Sequence, residues 1–340
     1  MIHLGIGGSD MHNALGIVWF VLLAVLWIGF LVQESFTSGV GMIFKSQKNE
    51  LEGRVLQMTV GPYWDGVEVW FITAGGATFA AFPLVYADMF SNLYVALYLL
   101  LVMFITRGVA MELVYKDEGK RWQTGMSWAW VISSYGVALL LGVRFVNLFM
   151  KANTLTESSN DFLGLLSQMG IMGGLLMVSI YRTNGILWAN LKAKAAIVER
   201  IKKQLLPSAI ISALIMPILM MGFNWDTNLF STNFESLPAL WILPVVTMLA
   251  AITTVIAVLK NKYVLAFVTN CLALALFIIT GYAGIYPYMA PGITIYDGMA
   301  SQLTLSIMTW VAAFFVPLIL GYQGWKFYRF RHKITEGFFK

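Results

Sequence analysis

Hydrophobic residues gather into nine long runs, at 15–44, 57–82, 86–106, 124–148, 162–181, 205–223, 238–259, 263–286 and 301–325, with polar residues confined to the links between them. A hydrocarbon layer of about 30 Å takes about 20 mainly apolar residues in helical form to cross. The pattern predicts an all-α polytopic membrane protein of about nine transmembrane helices, one integral membrane domain over residues 1–340. The links are too short for a second, soluble domain. Eight helices remain beyond the first, and two four-helix bundles plus one peripheral helix would be a natural packing. Gly136, Gly142, Pro217 and Pro244 fall inside runs, which membrane helices tolerate where neighbours satisfy the freed backbone groups. The pairs Gly75-Gly76 and Gly173-Gly174 read as close-packing sites.

Composition agrees: 59% of residues are hydrophobic and 11% charged, more apolar surface than a soluble fold of this size could hide. The first run has no small-residue cleavage site and is expected to be a retained helix. Net charge is +5, but its distribution matters more. Segments 45–56, 107–123, 182–204, 260–262 and 326–340 hold 20 of the 22 Lys and Arg residues, whereas 83–85, 149–161, 224–237 and 287–300 contribute only Lys151. Basic links stay on the cytoplasmic side, so the amino terminus is expected outside and the carboxyl terminus inside. The same spread argues against a nucleic-acid partner and for the lipid bilayer alone. Residues 187–206 read either as an amphipathic helix along the inner interface or as an extension of the preceding helix.

Charged side chains in apolar runs are costly and ask for a partner, a water path or a function. Glu34, in Gln33-Glu-Ser-Phe-Thr-Ser-Gly39, reads as a carboxyl group in proton transfer or as a buried acid serving packing. Asp65 and Glu68 are three apart and share a helical face. Two acids so close repel when both are ionised, which suits a proton relay; the alternative is an interfacial pair beside Trp64 and Trp70. Arg107 and Glu112 read as interfacial anchors plus an interhelical pair, with Gly108 expected to break the helix locally. Arg144 is expected to snorkel outward or to pair with an acid. His3, His12 and His332 all lie near the termini, leaving only Cys271 and scattered Met as haem ligands within the runs, so no redox centre and no metal site is expected in this chain. The lone Cys271 excludes an intrachain disulfide and reads as a buried thiol.

Gly39-Val-Gly-Met42, the long stretch Gly61-Pro-Tyr-Trp-Asp-Gly-Val-Glu-Val-Trp70 continuing to Pro83 and Tyr86, Gly284-Ile-Tyr-Pro-Tyr-Met-Ala-Pro291, Leu303-Thr-Leu305, and Phe315 to Trp325 with its basic tail together resemble subunit II of the cytochrome bd quinol oxidases, which implies a place in a bacterial cell membrane. The resemblance implies a nine-helix non-haem subunit that binds no cofactor with assurance. Its partner would be a haem-bearing subunit I with two b-type haems and haem d, in a complex that oxidises quinol and reduces oxygen to water. Some members hold a structural quinone, and no residue here is assigned to it; a small additional subunit is a further partner the resemblance leaves open. Members route cytoplasmic protons partly through this subunit, and the acids of that route match Glu34 and Asp65. The chain departs from the pattern where the family has Asp-Gly-Phe-Asp-x-Gly or Glu-Gly-Phe-Asp-x-Gly: its second acid is Thr37. Two other readings stand beside this one, a polytopic secondary transporter and a scaffold subunit that serves assembly only. Against the transporter, no matched pair of broken helices is visible.

Overall fold

The computed structural model describes residues 8–152, 162–223, 228–335 and 337. Fifteen α-helices follow one another there: α1 (Gly8–Ile43), α2 (Glu50–Val60), α3 (Trp64–Ala81), α4 (Pro83–Asn92), α5 (Tyr94–Leu113), α6 (Lys120–Lys151), α7 (Phe162–Leu165), α8 (Gln168–Lys192), α9 (Ala196–Lys202), α10 (Leu205–Gly222), α11 (Leu229–Ser236), α12 (Ile242–Leu259), α13 (Tyr263–Ile285), α14 (Ile295–Gly298) and α15 (Gln302–Arg329). Side-chain caps start several of them, Asn49 for α2, Ser167 for α8 and Ser301 for α15, each accepting a hydrogen bond from a free N–H of the first turn. Two short 3-10 helices, Phe44–Ser46 and Pro238–Trp241, and two short strand pairs accompany them. β1 (Ala193–Lys194) pairs in parallel with β4 (Ile334–Thr335), and β2 (Tyr288–Ala290) pairs antiparallel with β3 (Ile293–Thr294).

Seven helical segments are long and apolar enough to cross a membrane, or eight if α3 and α4 count as one span bent by 120°. Pro83 opens α4, and a proline cannot continue the helix before it, so the chain turns at Phe82. Six predicted runs each match one helix, namely α1, α6, α10, α12, α13 and α15. The run at 57–82 divides into the end of α2, a turn and α3, and the run at 86–106 divides between α4 and α5. The run at 162–181 becomes α7 and α8, and α8 is not among the seven. It carries Arg182, Asn184, Asn190 and Lys192, which lower its hydropathy, yet it lies at the centre, packed by α1, α6, α10 and α13. Its polar groups bond to those neighbours instead of facing lipid: Asn184 donates to Ser35 (2.7 Å), Asn270 donates to Asn184 (2.8 Å), and Thr183 donates to Ser208 (2.9 Å). Residues 187–206 are neither one interfacial helix nor a plain extension, since α8 ends at Lys192 and α9 begins after β1.

Glycines set the closest approaches. A Cβ added to Gly39 of α1 would stand 2.0 Å from the Tyr181 carbonyl of α8, and one on Gly142 of α6 would stand 2.2 Å from the Gly173 carbonyl. Gly173-Gly174 therefore packs as expected. Gly75-Gly76 does not: no described atom lies within 4 Å of an added Cβ, so this pair faces outward.

Basic links meet at one end of the molecule. Arg200 donates to the Ser46 carbonyl (3.2 Å) and pairs with Glu52, Trp188 donates to the Thr59 carbonyl (2.9 Å), Gln57 to the Met111 carbonyl (2.7 Å), and Lys192 to the Phe330 carbonyl (2.6 Å). At the other end the poorly charged links meet, through His12 with the Ala300 carbonyl (2.8 Å), Ala300 N–H with the Ala81 carbonyl (2.8 Å), and Gly292 N–H with the Ala152 carbonyl (2.9 Å).

Candidate proton-transfer site

Three helices supply the site. On α1, Glu34, Thr37 and Ser38 fall three and four residues apart and so share one face. Ser38 and Thr37 both donate to the Glu34 carboxylate, Thr37 at 3.2 Å. From α5, the Arg107 guanidinium reaches the same carboxylate with Nη1, which also donates to Ser38 Oγ at 2.9 Å. Its Nη2 donates to Glu68 of α3 at 3.1 Å. Glu34 is fully buried and the Arg107 side chain is 3% exposed, while the Glu68 side chain remains 30% exposed. The cluster thus runs from a dry carboxylate, through one guanidinium, to a carboxylate that still meets the outside.

Small residues let the helices come this close. A Cβ on Gly29 of α1 would stand 2.4 Å from the Trp70 ring of α3, and one on Gly108 of α5 would stand 3.0 Å from the Trp64 ring. Gly108 does not break α5, which continues to Leu113; it makes room for Trp64, whose indole N–H donates to Glu112 at 3.1 Å. One guanidinium cannot neutralise two carboxylates, so the cluster carries either a net negative charge or a bound proton. Passing between those two states is what a relay requires.

Of the acids read from the sequence, Glu34 and Glu68 are brought together, on Arg107. Asp65 is not in hydrogen-bond contact with Glu68: it is exposed at the start of α3, and its carboxylate accepts from the Gly66 N–H at 2.6 Å. Arg107 stands at the centre of the site rather than at an interface; its signal in the sequence is a cation directly following the apolar stretch Phe104-Ile-Thr106. Arg144 makes no ion pair among the described residues. It lines a cavity of about 60 Å³ with Trp27, Phe71, Thr78 and Tyr282, its Nε buried without an acceptor. Cys271 is half-buried and accepts from Asn184 at 3.6 Å. Among the described residues no three His, Cys, Asp or Glu side chains gather into a group that could hold a metal ion.

Fold and site together define a polytopic membrane protein with a buried carboxylate–guanidinium cluster at the junction of three helices. Residues 15–330 match the family described as Cytochrome bd terminal oxidase subunit II. The chain is 30% identical over 365 residues to cytochrome bd-I ubiquinol oxidase subunit 2 of Escherichia coli, covering 96% of each, and 29% identical over 344 residues to cytochrome bd ubiquinol oxidase subunit 2 of Bacillus subtilis, covering 96% and 98%. In fold it resembles a chain of the bd oxidase from Geobacillus thermodenitrificans, with a TM-score of 0.75 at 17% identity over 92% of this chain and 98% of that one. The chain belongs to the cytochrome bd terminal oxidase subunit II family.

Proposed function

We propose that this chain delivers cytoplasmic protons within a bd-type quinol oxidase, as its non-haem subunit II, with Asp65, Glu68 and Glu34 as the carrying acids and Arg107 holding the last two. The cluster of Glu34, Arg107 and Glu68 carries this reading: a fully buried acid is linked through one cation to a partly exposed one. Quinol and oxygen are the substrates of the complex, and the redox centres, two b-type haems and haem d, belong to a haem-bearing subunit I.

The proposed topology has nine crossings, with the amino terminus outside and the carboxyl terminus in the cytoplasm. Convergence of the basic links at one end supports it. The face of α3 and α15 is proposed for subunit I. Two features support that choice: among the described residues α15 buries only Leu305 and Lys326, and no described atom lies within 4 Å of a Cβ added at Gly75 or Gly76 of α3.

Replacing Asp65 by Asn in the assembled complex tests the proton role. Oxygen uptake is expected to fall by about tenfold or more, the scale of a lost proton-transfer group, with haem content unchanged. Unimpaired uptake in a normally assembled complex would leave the acids as packing groups and the chain as a scaffold.

A further inference from the structure

Lysines in the last turn of a membrane helix ordinarily extend outward to the interface. Lys326 does not. It stands in the last turn of α15, a helix exposed almost throughout, and is nevertheless only 5% exposed. Its ammonium turns back toward the start of α3, lying 5.5 Å from the centroid of the Tyr63 ring and against Gly66, where an added Cβ would come within 2.8 Å of Nζ. Burying an ammonium without a close acceptor is costly, so this placement needs a compensating anion. The Asp65 carboxylate stands at the same residue, accepting from the Gly66 N–H at 2.6 Å.

Both charged groups meet over one residue. The Asp65 carboxylate accepts from the Gly66 N–H, and the Lys326 ammonium occupies the space that a Gly66 side chain would take. They form no direct ion pair, and the Asp65 residue remains exposed. One turn earlier on α15, on the same face, Gln323 presents a buried Oε1 that has no donor. An unused acceptor and a held ammonium on α15 and an exposed carboxylate on α3 therefore stand at the end of the molecule where the basic links meet. Other charged groups toward this end of the molecule have their own partners: Glu68 and Glu34 pair with Arg107, Glu112 accepts from Trp64, and Lys192 donates to the Phe330 carbonyl.

We propose that Lys326 is the positioning residue of Asp65: seated over Gly66, its ammonium holds the carboxylate in place at the start of α3, three residues before Glu68 of the Glu68–Arg107–Glu34 cluster. The inference rests on the proton-carrying role of Asp65. Tyr63 and Gly66 complete the seat, one as the aromatic face under the ammonium and the other as the space it fills.

The test measures oxygen uptake of the whole complex, with haem content as the control for assembly, in Lys326→Met, Lys326→Arg, Asp65→Asn and the Lys326→Met/Asp65→Asn double variant. Lys326→Met is expected to slow uptake about fivefold, Lys326→Arg to retain most of it, and the double variant to be no slower than Asp65→Asn alone, because groups acting as a unit are non-additive. Uptake in Lys326→Met equal to the parent, or two losses that multiply in the double variant, would overturn the positioning role while leaving Asp65 in place. Normal uptake in Asp65→Asn would instead remove the reading beneath it. Should Lys326→Met not assemble, Gly66→Ala keeps every charge and displaces the ammonium; slowed uptake supports the proposal and unchanged uptake contradicts it.

Discussion

Arg107 and Arg144 both stand within membrane helices, and their surroundings are opposite. Arg107 donates to two carboxylates and a hydroxyl and has the Phe104 ring 5.1 Å from its guanidinium carbon. Arg144 lines an apolar cavity with a buried Nε that meets no acceptor. A guanidinium has five donors and is charged at every accessible pH, so its neighbours decide whether it organises a site or burdens the fold. The comparison teaches that an arginine in an apolar run gains meaning from the acids that other helices bring to it.

Breaking the richer site should have the largest effect. Arg107→Met leaves Glu34 buried without its cation, and removing one partner of a buried pair costs about 3–5 kcal/mol. The complex should unfold at markedly lower denaturant or temperature, and a midpoint equal to the parent's would show that the pair contributes nothing. Next in size is Gly39→Ala, which pushes a methyl into the Tyr181 carbonyl and displaces the helix that carries Glu34. Overpacking of this kind costs about 1–3 kcal/mol, whereas Gly76→Ala, on an open face, should leave the isolated chain's stability unchanged.

A smaller effect tests how the cluster obtains its second acid. Thr37 stands where the family pattern has an acid, and it donates to the Glu34 carboxylate, while Glu68 of α3 supplies a second carboxylate to Arg107. Glu68→Gln should slow oxygen uptake about tenfold, roughly 1.4 kcal/mol of barrier, and Thr37→Asp in the same chain should recover part of that loss. A double variant as slow as the single one would separate the two positions. Least affected should be Arg144→Met: its guanidinium makes no ion pair among the described residues, and replacing it by an apolar side chain is expected to change stability by less than about 1 kcal/mol, or to raise it, with oxygen uptake unchanged.

Much of the fold was legible because its signal is one-dimensional. Six of nine apolar runs became single helices, and the basic links that predicted one shared side are joined there by backbone and side-chain bonds. What failed to show was three-dimensional. The break at Phe82 interrupts apolar residues on both sides, and α8 has a polar composition that only its sheath of neighbours explains. Glu34 and Glu68 could be chosen as costly residues, but nothing in their spacing said that α5 would carry a cation to both. Asp65 and Glu68 share a helical face by spacing, yet Glu68 is drawn to Arg107 and Asp65 remains at the exposed start of α3. Lys326 looked like one more basic residue of the tail, and only its inward turn distinguishes it.

The central claim is that the linked acids carry protons, and the most direct measurement is proton uptake itself. A pH-indicator dye on the cytoplasmic side of the reconstituted complex should follow uptake during a single turnover with oxygen, in the parent and in Glu34→Gln. The account predicts uptake slowed by about tenfold or more at unchanged haem content. Uptake at the parent's rate in the Glu34→Gln complex would contradict it.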